Sequence, residues 1–258
     1  MNTIKKFIAK KNKSKIICLT AYSKKIASIL DKYCDLILVG DSLGSVLYNY
    51  KSTKEVTLKT MINHSKSVRL GVQKSIMIVD MPYNTYRNPR EALKNAKLVM
   101  KKTRCDGVKL EGGKKIIPIV KNLVKNRIPV MGHVGILPQS DKKFSFKGKK
   151  QKEIKRILNE TELLEKAGAF SIVLECIETK LSKQITENIK IPTIGIGSSN
   201  NCDGQVLVID DIIGMSDSKF KFVKKYADVS KIIDEAVKKY KYEVQKKLFP
   251  KAKHSFKN

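Results

Sequence analysis

The sequence predicts an α/β protein, a single-domain (β/α)8 TIM barrel over residues 1–258, and two patterns and one length carry that expectation. Seven apolar runs of strand length (17–20, 36–42, 76–80, 108–111, 129–133, 172–175 and 193–198) end in a polar or glycine-flanked residue. In four of them that residue is a carboxylate: Asp41, Asp80, Glu111 and Glu175. Strands that are apolar throughout, rather than alternating, belong to a parallel sheet covered on both faces. Helical stretches separate the runs, and 258 residues is close to the roughly 250 typical of one such barrel. A parallel barrel puts every strand C-terminus on one rim, so the four carboxylates converge although they are far apart in sequence.

In chain order, residues 3–10 carry Ile4, Phe7 and Ile8 at helical spacing behind a Thr3 cap, a short helix placed to plug the bottom of the barrel. Residues 23–33 follow the first strand with Ile26, Ala27, Ile29 and Leu30 on one face. After the second strand, 43–56 reads as a long rim loop, and Thr57 caps a helix built on Leu58, Met61, Ile62 and Val68. Pro89 opens a helix to about Lys102, as its fixed φ suits a first turn. Residues 113–127 form a helix whose Pro118 must lie in the first turn or kink it. The polar, aperiodic stretch 137–152 reads as a lid after the fifth strand. Helices follow at 151–166, ending at Gly168, and at 181–188. Too few residues separate Gly197 from the last strand, 205–209, for a crossover helix, so the seventh βα unit is irregular. Residues 220–226 and 231–247 supply closing helices.

No apolar run approaches the ~18–20 residues that cross a bilayer, and the start shows no export signal, so a cytoplasmic protein is expected. Five scattered cysteines without CxxC spacing suggest small core residues rather than disulfides or a thiolate zinc site. The net charge of +29 would suit a nucleic-acid partner. Lysine, however, is spread over nearly every helix and greatly outnumbers arginine, whose bidentate fork phosphate and base recognition favour. A solvated basic surface is the simpler reading, and nucleic acid is not expected as a partner.

Asp41, Asp80 and Glu111, on consecutive strands, offer the hard oxygen ligands that Mg²⁺ prefers; singly, each could instead cap a helix or be solvated. Lys109 lies two residues before Glu111 and shares its face, and a Lys and a Glu directed into a barrel need partners because unpaired buried charge is costly. A metal and an anionic substrate would supply them. Glu175 sits among Val173, Leu174, Cys176 and Ile177, an apolar setting that would raise its pKa and suit a general base, with a salt bridge to lysine as the plain alternative. His133, between Gly132 and Gly135, either binds substrate or is satisfied in the core. Ser198 and the Gly195-x-Gly197 turn could present N–H groups to an anion, although close packing explains the glycines equally well.

A set of co-linear motifs then resembles one family. Val39-Gly40-Asp41-Ser42-Leu43-Gly44, Asp80-Met81-Pro82, Val108-Lys109-Leu110-Glu111-Gly112-Gly113, Gly132-His133-Val134-Gly135, Pro138-Gln139-Ser140, Val173-Leu174-Glu175-Cys176, Pro192-Thr193-Ile194-Gly195-Ile196-Gly197 and Cys202-Asp203-Gly204-Gln205 are similar to the ketopantoate hydroxymethyltransferases. That resemblance implies a TIM-barrel transferase of pantothenate biosynthesis. It passes a hydroxymethyl group from 5,10-methylenetetrahydrofolate to 3-methyl-2-oxobutanoate, giving 2-dehydropantoate. It also implies one Mg²⁺ per subunit at Asp41, Asp80 and Glu111; keto-acid binding by Asp41, Ser42, Asp80 and Lys109; Glu175 as proton acceptor, with His133 and Ser198 in support; and a cytoplasmic homo-oligomer, a decamer in the family. The chain departs from the family pattern at Lys142-Lys143-Phe144, in a shortened lid, and at Tyr83-Asn84-Thr85-Tyr86. The rival readings are a Mg²⁺ barrel that cleaves or rearranges phosphonates or 2-oxo acids, and a basic RNA-associated protein.

Overall fold

The computed structural model describes residues 2–141 and 145–256 and divides into two compact units, Met1–Val208 and Ile209–Asn258. In the first, helix α1 (Asn2–Ile8) precedes eight parallel strands. These are β1 (Ile16–Thr20), β2 (Leu36–Val39), β3 (Ile76–Asp80), β4 (Gly107–Lys109), β5 (Val130–Gly135), β6 (Ser171–Glu175), β7 (Thr193–Ile196) and β8 (Gly204–Leu207). They pair in sequence order and β8 returns to β1, closing the barrel. Seven helices make the crossovers: α2 (Lys24–Leu30), α3 (Leu43–Tyr48), α4 (Leu58–Arg69), α5 (Pro89–Thr103), α6 (Ile117–Lys125), α7 (Gln151–Lys166) and α8 (Thr179–Asn188). None lies between β7 and β8, so the seventh unit is irregular as expected.

The local chemistry explains where these elements start and stop. Thr57 accepts the Thr60 N–H at 3.1 Å to begin α4, and Asn88 accepts the Glu91 N–H at 2.9 Å ahead of Pro89 in α5. Pro118 falls in the first turn of α6, where its missing N–H costs nothing. At the N-terminal end of the barrel, Ile4 and Phe7 of α1 pack with Ile16, Leu36, Ile76 and Phe170, and the Phe7 and Phe170 rings meet edge to face at 5.7 Å. Above them, Cys18, Leu38, Ile78, Met131, Val173, Ile194 and Val206 continue one apolar core. Helix α1 is thus the floor that the sequence suggested. All five cysteines are buried and unbridged.

Three expectations change. Residues 43–56 are not an open loop: α3 fills 43–48, Asn49 ends it in the left-handed region (φ +54°), and a 3-10 turn at Thr53–Glu55 carries a Ser52–Glu55 capping box. The last strand begins and ends earlier than 205–209. In the second unit, residues 220–226 form no helix. Phe220 and Phe222 stack at 5.3 Å, a neighbour pairing that helical spacing does not give, and the Tyr226 N–H donates to the Ile212 carbonyl at 2.7 Å. That unit holds α9 (Ile209–Ile212) and α10 (Val229–Gln245), the latter capped by Asp228. Of the expected lid, Lys142-Lys143-Phe144 lies outside the described residues, and Lys147 bridges to Ile177. Among the described residues no helix is long and apolar enough to cross a membrane.

Candidate active site

Side chains on one face of a strand recur every second residue, so Ile76, Ile78 and Asp80 share a face, as do Lys109 and Glu111, and Met131 and His133. Consecutive strands therefore deliver a row of charge across the C-terminal rim. Lys109 Nζ lies 3.0 Å from Asp80 Oδ1 and 4.0 Å from Glu111 Oε1. His133 Nδ1 is 3.5 Å from the same Glu111 oxygen, and His133 Nε2 is 3.2 Å from Glu175 Oε2. Asp80, Lys109, Glu111 and His133 are buried; Glu175 keeps 17% of its side chain exposed, at the mouth.

Asp41, just beyond β2, joins this row from the side. Its backbone N–H donates to Asp80 Oδ2 at 3.1 Å, while its own Oδ2 accepts from Gln139 Nε2 at 2.7 Å. Gln139 Nε2 also donates to the Met81 carbonyl at 3.0 Å, its backbone N–H donates to Glu111 Oε2 at 3.0 Å, and its Oε1 accepts from the Tyr86 hydroxyl.

The titration behaviour follows from this crowding. Burial, and then the Asp80 and Glu111 carboxylates, push Asp41 well above the usual carboxylate range, against the pull of Lys109 and Gln139. Burial also opposes ionisation of Glu111, but His133, Lys109 and the Gln139 N–H outweigh it and hold that carboxyl low. Burial works against a charged Lys109, yet Asp80, Glu111 and Asp41 keep it protonated. For His133, burial and Lys109 press downward, and Glu111 with Glu175 lift it to about 9. Four carboxylates thus face two basic groups in a largely buried space, and a divalent cation is the charge that would balance them. Asp80 Oδ1 has no hydrogen bond in this arrangement beyond its ion pair with Lys109, which marks an oxygen open to such an ion. Among the described residues no three His, Cys, Asp or Glu side chains group tightly enough to enclose an ion unaided.

Asp41, Asp80, Lys109, Glu111, His133 and Glu175, expected from sequence, all meet here. Ser42 adjoins them, its hydroxyl 2.8 Å from that of Tyr22. The Ser198 hydroxyl donates to the Leu174 carbonyl at 2.7 Å and accepts from the Ile177 N–H at 3.1 Å, bracing the β6 and β7 ends. Glu175 does not sit in the apolar setting that its sequence neighbours suggested, because Glu175 turns toward His133 and the rim. Two glycine-like positions shape its surroundings: Gly135 (φ +103°), where a Cβ would come within 2.1 Å of the Glu175 carbonyl, and Cys176, left-handed at φ +50°. Sequence reading gave no role to Gln139 or Tyr86. The signal was there for Gln139, since it directly follows Pro138 in a quoted motif, but a neutral amide carries no mark of its contacts.

The family model described as ketopantoate hydroxymethyltransferase matches residues 1–252. A relative from Pelagibacter ubique named 3-methyl-2-oxobutanoate hydroxymethyltransferase is 63% identical over 250 residues, covering 97% of each chain. One of the same name from Anaplasma marginale is 45% identical over 251 residues, covering 96% of this chain and 91% of its own. Among solved structures, phosphonopyruvate hydrolase in complex with oxalate and Mg++ aligns with a TM-score of 0.64 at 10% identity, over 98% of this chain and 93% of that one, a likeness of fold.

Proposed function

The chain belongs to the ketopantoate hydroxymethyltransferase family, and from that premise we propose that it transfers a hydroxymethyl group from 5,10-methylenetetrahydrofolate to 3-methyl-2-oxobutanoate, giving 2-dehydropantoate. The observation that carries the reading is the alternating row Asp80, Lys109, Glu111, His133, Glu175, with no gap above 4.0 Å. It sets cation-binding carboxylates at one end and a partly exposed carboxylate at the other, as deprotonation next to a carbonyl requires.

Asp41, Asp80 and Glu111 fit a hard divalent cation such as Mg²⁺ by donor type and by the local excess of negative charge, with water completing the shell that they do not close themselves. Bound there, such an ion would withdraw electron density from the keto acid's oxygens and acidify its C3–H. Lys109 neutralises charge on the substrate, and Ser42, beside Asp41, offers it a hydroxyl. Glu175 takes the C3 proton onto a carboxylate oxygen, and His133, 3.2 Å away, orients it. C3 then forms a carbon–carbon bond to the folate methylene, whose two bonds to nitrogen break; water supplies the new hydroxyl, and its remaining proton and the one on Glu175 pass to the two nitrogens, releasing tetrahydrofolate. The apolar barrel below keeps water from the other side and strengthens each charge interaction.

The deciding experiment is product formation with each component withheld. 2-Dehydropantoate should appear only with keto acid, methylenetetrahydrofolate and a divalent cation together; keto-acid turnover without folate would favour a lyase instead. The same reading makes the protein a cytoplasmic homo-oligomer acting on small molecules, and light scattering at working concentration checks the assembly.

A further inference from the structure

The Gln139 side chain makes three hydrogen bonds at the rim. One residue reaches the ends of three consecutive strands: Asp41 after β2, the Met81 carbonyl after β3, and Glu111 after β4, the last through its backbone N–H. It is 1% exposed. Its orientation is fixed twice over. Both hydrogens on Nε2 go to acceptors, Asp41 Oδ2 and the Met81 carbonyl, and Oε1 takes the Tyr86 hydroxyl, so a flipped amide would set oxygen against oxygen at two contacts and lose the acceptor for the Tyr86 hydroxyl.

We infer that Gln139, steered by Tyr86, is a positioning residue that holds the Asp41 and Glu111 carboxylates in the orientation in which they receive the divalent cation. The inference rests on the reading of those carboxylates as cation ligands. A neutral amide suits the task. A lysine or arginine at this place would put a fixed positive charge on Asp41 and compete with the ion, whereas an amide satisfies one carboxyl oxygen and adds no charge of its own. The contrast with Lys109 is informative: the one lysine of the row pairs with Asp80 and stands 4.0 Å from Glu111, and Asp41 has the amide as its side-chain hydrogen-bond donor. Groups that orient metal ligands typically contribute about 10- to 100-fold in metal affinity.

The test is the binding of Mg²⁺ alone, by calorimetry, to the full chain and to Gln139→Met, which keeps the volume but neither donates nor accepts, and Tyr86→Phe, which removes the hydroxyl that bonds Oε1 and so loosens the amide. Gln139→Met should bind Mg²⁺ about 10- to 100-fold more weakly in a protein that still folds, with melting lowered by the buried groups left unpaired. Its kcat should recover toward the parent value as Mg²⁺ is raised, and its KM for methylenetetrahydrofolate should stay put. Tyr86→Phe should lie between the two. Unchanged Mg²⁺ affinity in a folded Gln139→Met overturns the inference, and if that variant does not fold, unchanged affinity in Tyr86→Phe does so. If the parent protein neither binds Mg²⁺ nor makes 2-dehydropantoate, the proposed function falls first and this inference with it.

Discussion

The two ends of the barrel are made from the same strands and have opposite chemistry. On β3, Ile76 and Ile78 lie in the apolar core under which α1 packs, and Asp80, one step further on the same face, lies in the charged row. On β5 Met131 is core and His133 bridges two carboxylates; on β6 Val173 is core and Glu175 stands at the mouth. The floor is closed by Ile4, Phe7 and Phe170. Stability and chemistry are therefore separated along each strand by two residues, about 7 Å. The floor also serves the rim, because charges above a dry core interact more strongly than charges in water.

That separation predicts that rim substitutions act chiefly on rates, while floor substitutions act on stability and leave rates alone. The largest effect should come from Glu175→Gln, which keeps shape but accepts no proton. Turnover should drop by about 10²- to 10⁴-fold, and exchange of the C3 proton of 3-methyl-2-oxobutanoate with deuterated water, followed by NMR without folate, should drop alongside it. Exchange at the parent rate would remove Glu175 as the base. Next comes Asp80→Ala, which takes away the Lys109 partner at 3.0 Å and the acceptor of the Asp41 N–H. Mg²⁺ and keto-acid binding should weaken by about 10- to 100-fold in a protein that still folds; a normal rate with unaltered Mg²⁺ dependence would show that Asp80 is no ligand.

Much of this contrast was legible in the sequence because it is periodic. An unbroken apolar run with a carboxylate at its end encodes both the buried strand and the rim, which is why Asp80, Glu111 and Glu175 stood out, and the short span after Gly197 announced the missing crossover helix. What stayed hidden depends on tertiary contact. Leu43, Val46 and Leu47 have helical spacing, yet Gly44, Tyr48 and Tyr50 give the segment the look of a loop. The apolar neighbours of Glu175 misled because Leu174, next along the strand, faces the opposite way, and Val173, on the same face, lies one layer deeper in the core. Gln139 and Tyr86 carry no charge and no period, so only the fold reveals that they hold the carboxylates together.

Phe7→Ala tests the floor. The ring is 3% exposed and meets Phe170 edge to face, so truncation should cost about 3 kcal/mol, toward the lower end for a buried aromatic because a terminal helix can shift to fill the gap. Urea unfolding should show the loss, while kcat and the Mg²⁺ dependence of the folded protein stay at parent values. A fall in kcat with little change in stability would mean that floor and rim are coupled more tightly than the layered packing implies.

The smallest effect sharpens the comparison with a carboxylate at the wrong end. Asp31 caps the C-terminus of α2 on the floor side, where its oxygens accept the backbone N–H groups of Gln73 (2.9 Å), Lys74 (3.0 and 3.1 Å) and Ser75 (2.8 Å). Burial works against its ionisation, but these bonds, Ser75 foremost, outweigh it and hold the carboxyl below its ordinary value. A depressed folded pKa means that the stabilisation is complete above the unfolded value, near ~3.9, and is lost as pH falls through the folded one. Asp31→Asn should therefore lower stability by about 1–3 kcal/mol at pH 7. The parent and variant urea midpoints should draw together only below about pH 4, with kcat unaffected throughout. A gap that is the same at pH 7 and pH 3 would show that shape rather than charge holds this turn. A change in kcat would place Asp31 with the rim carboxylates, against everything its position in the barrel implies.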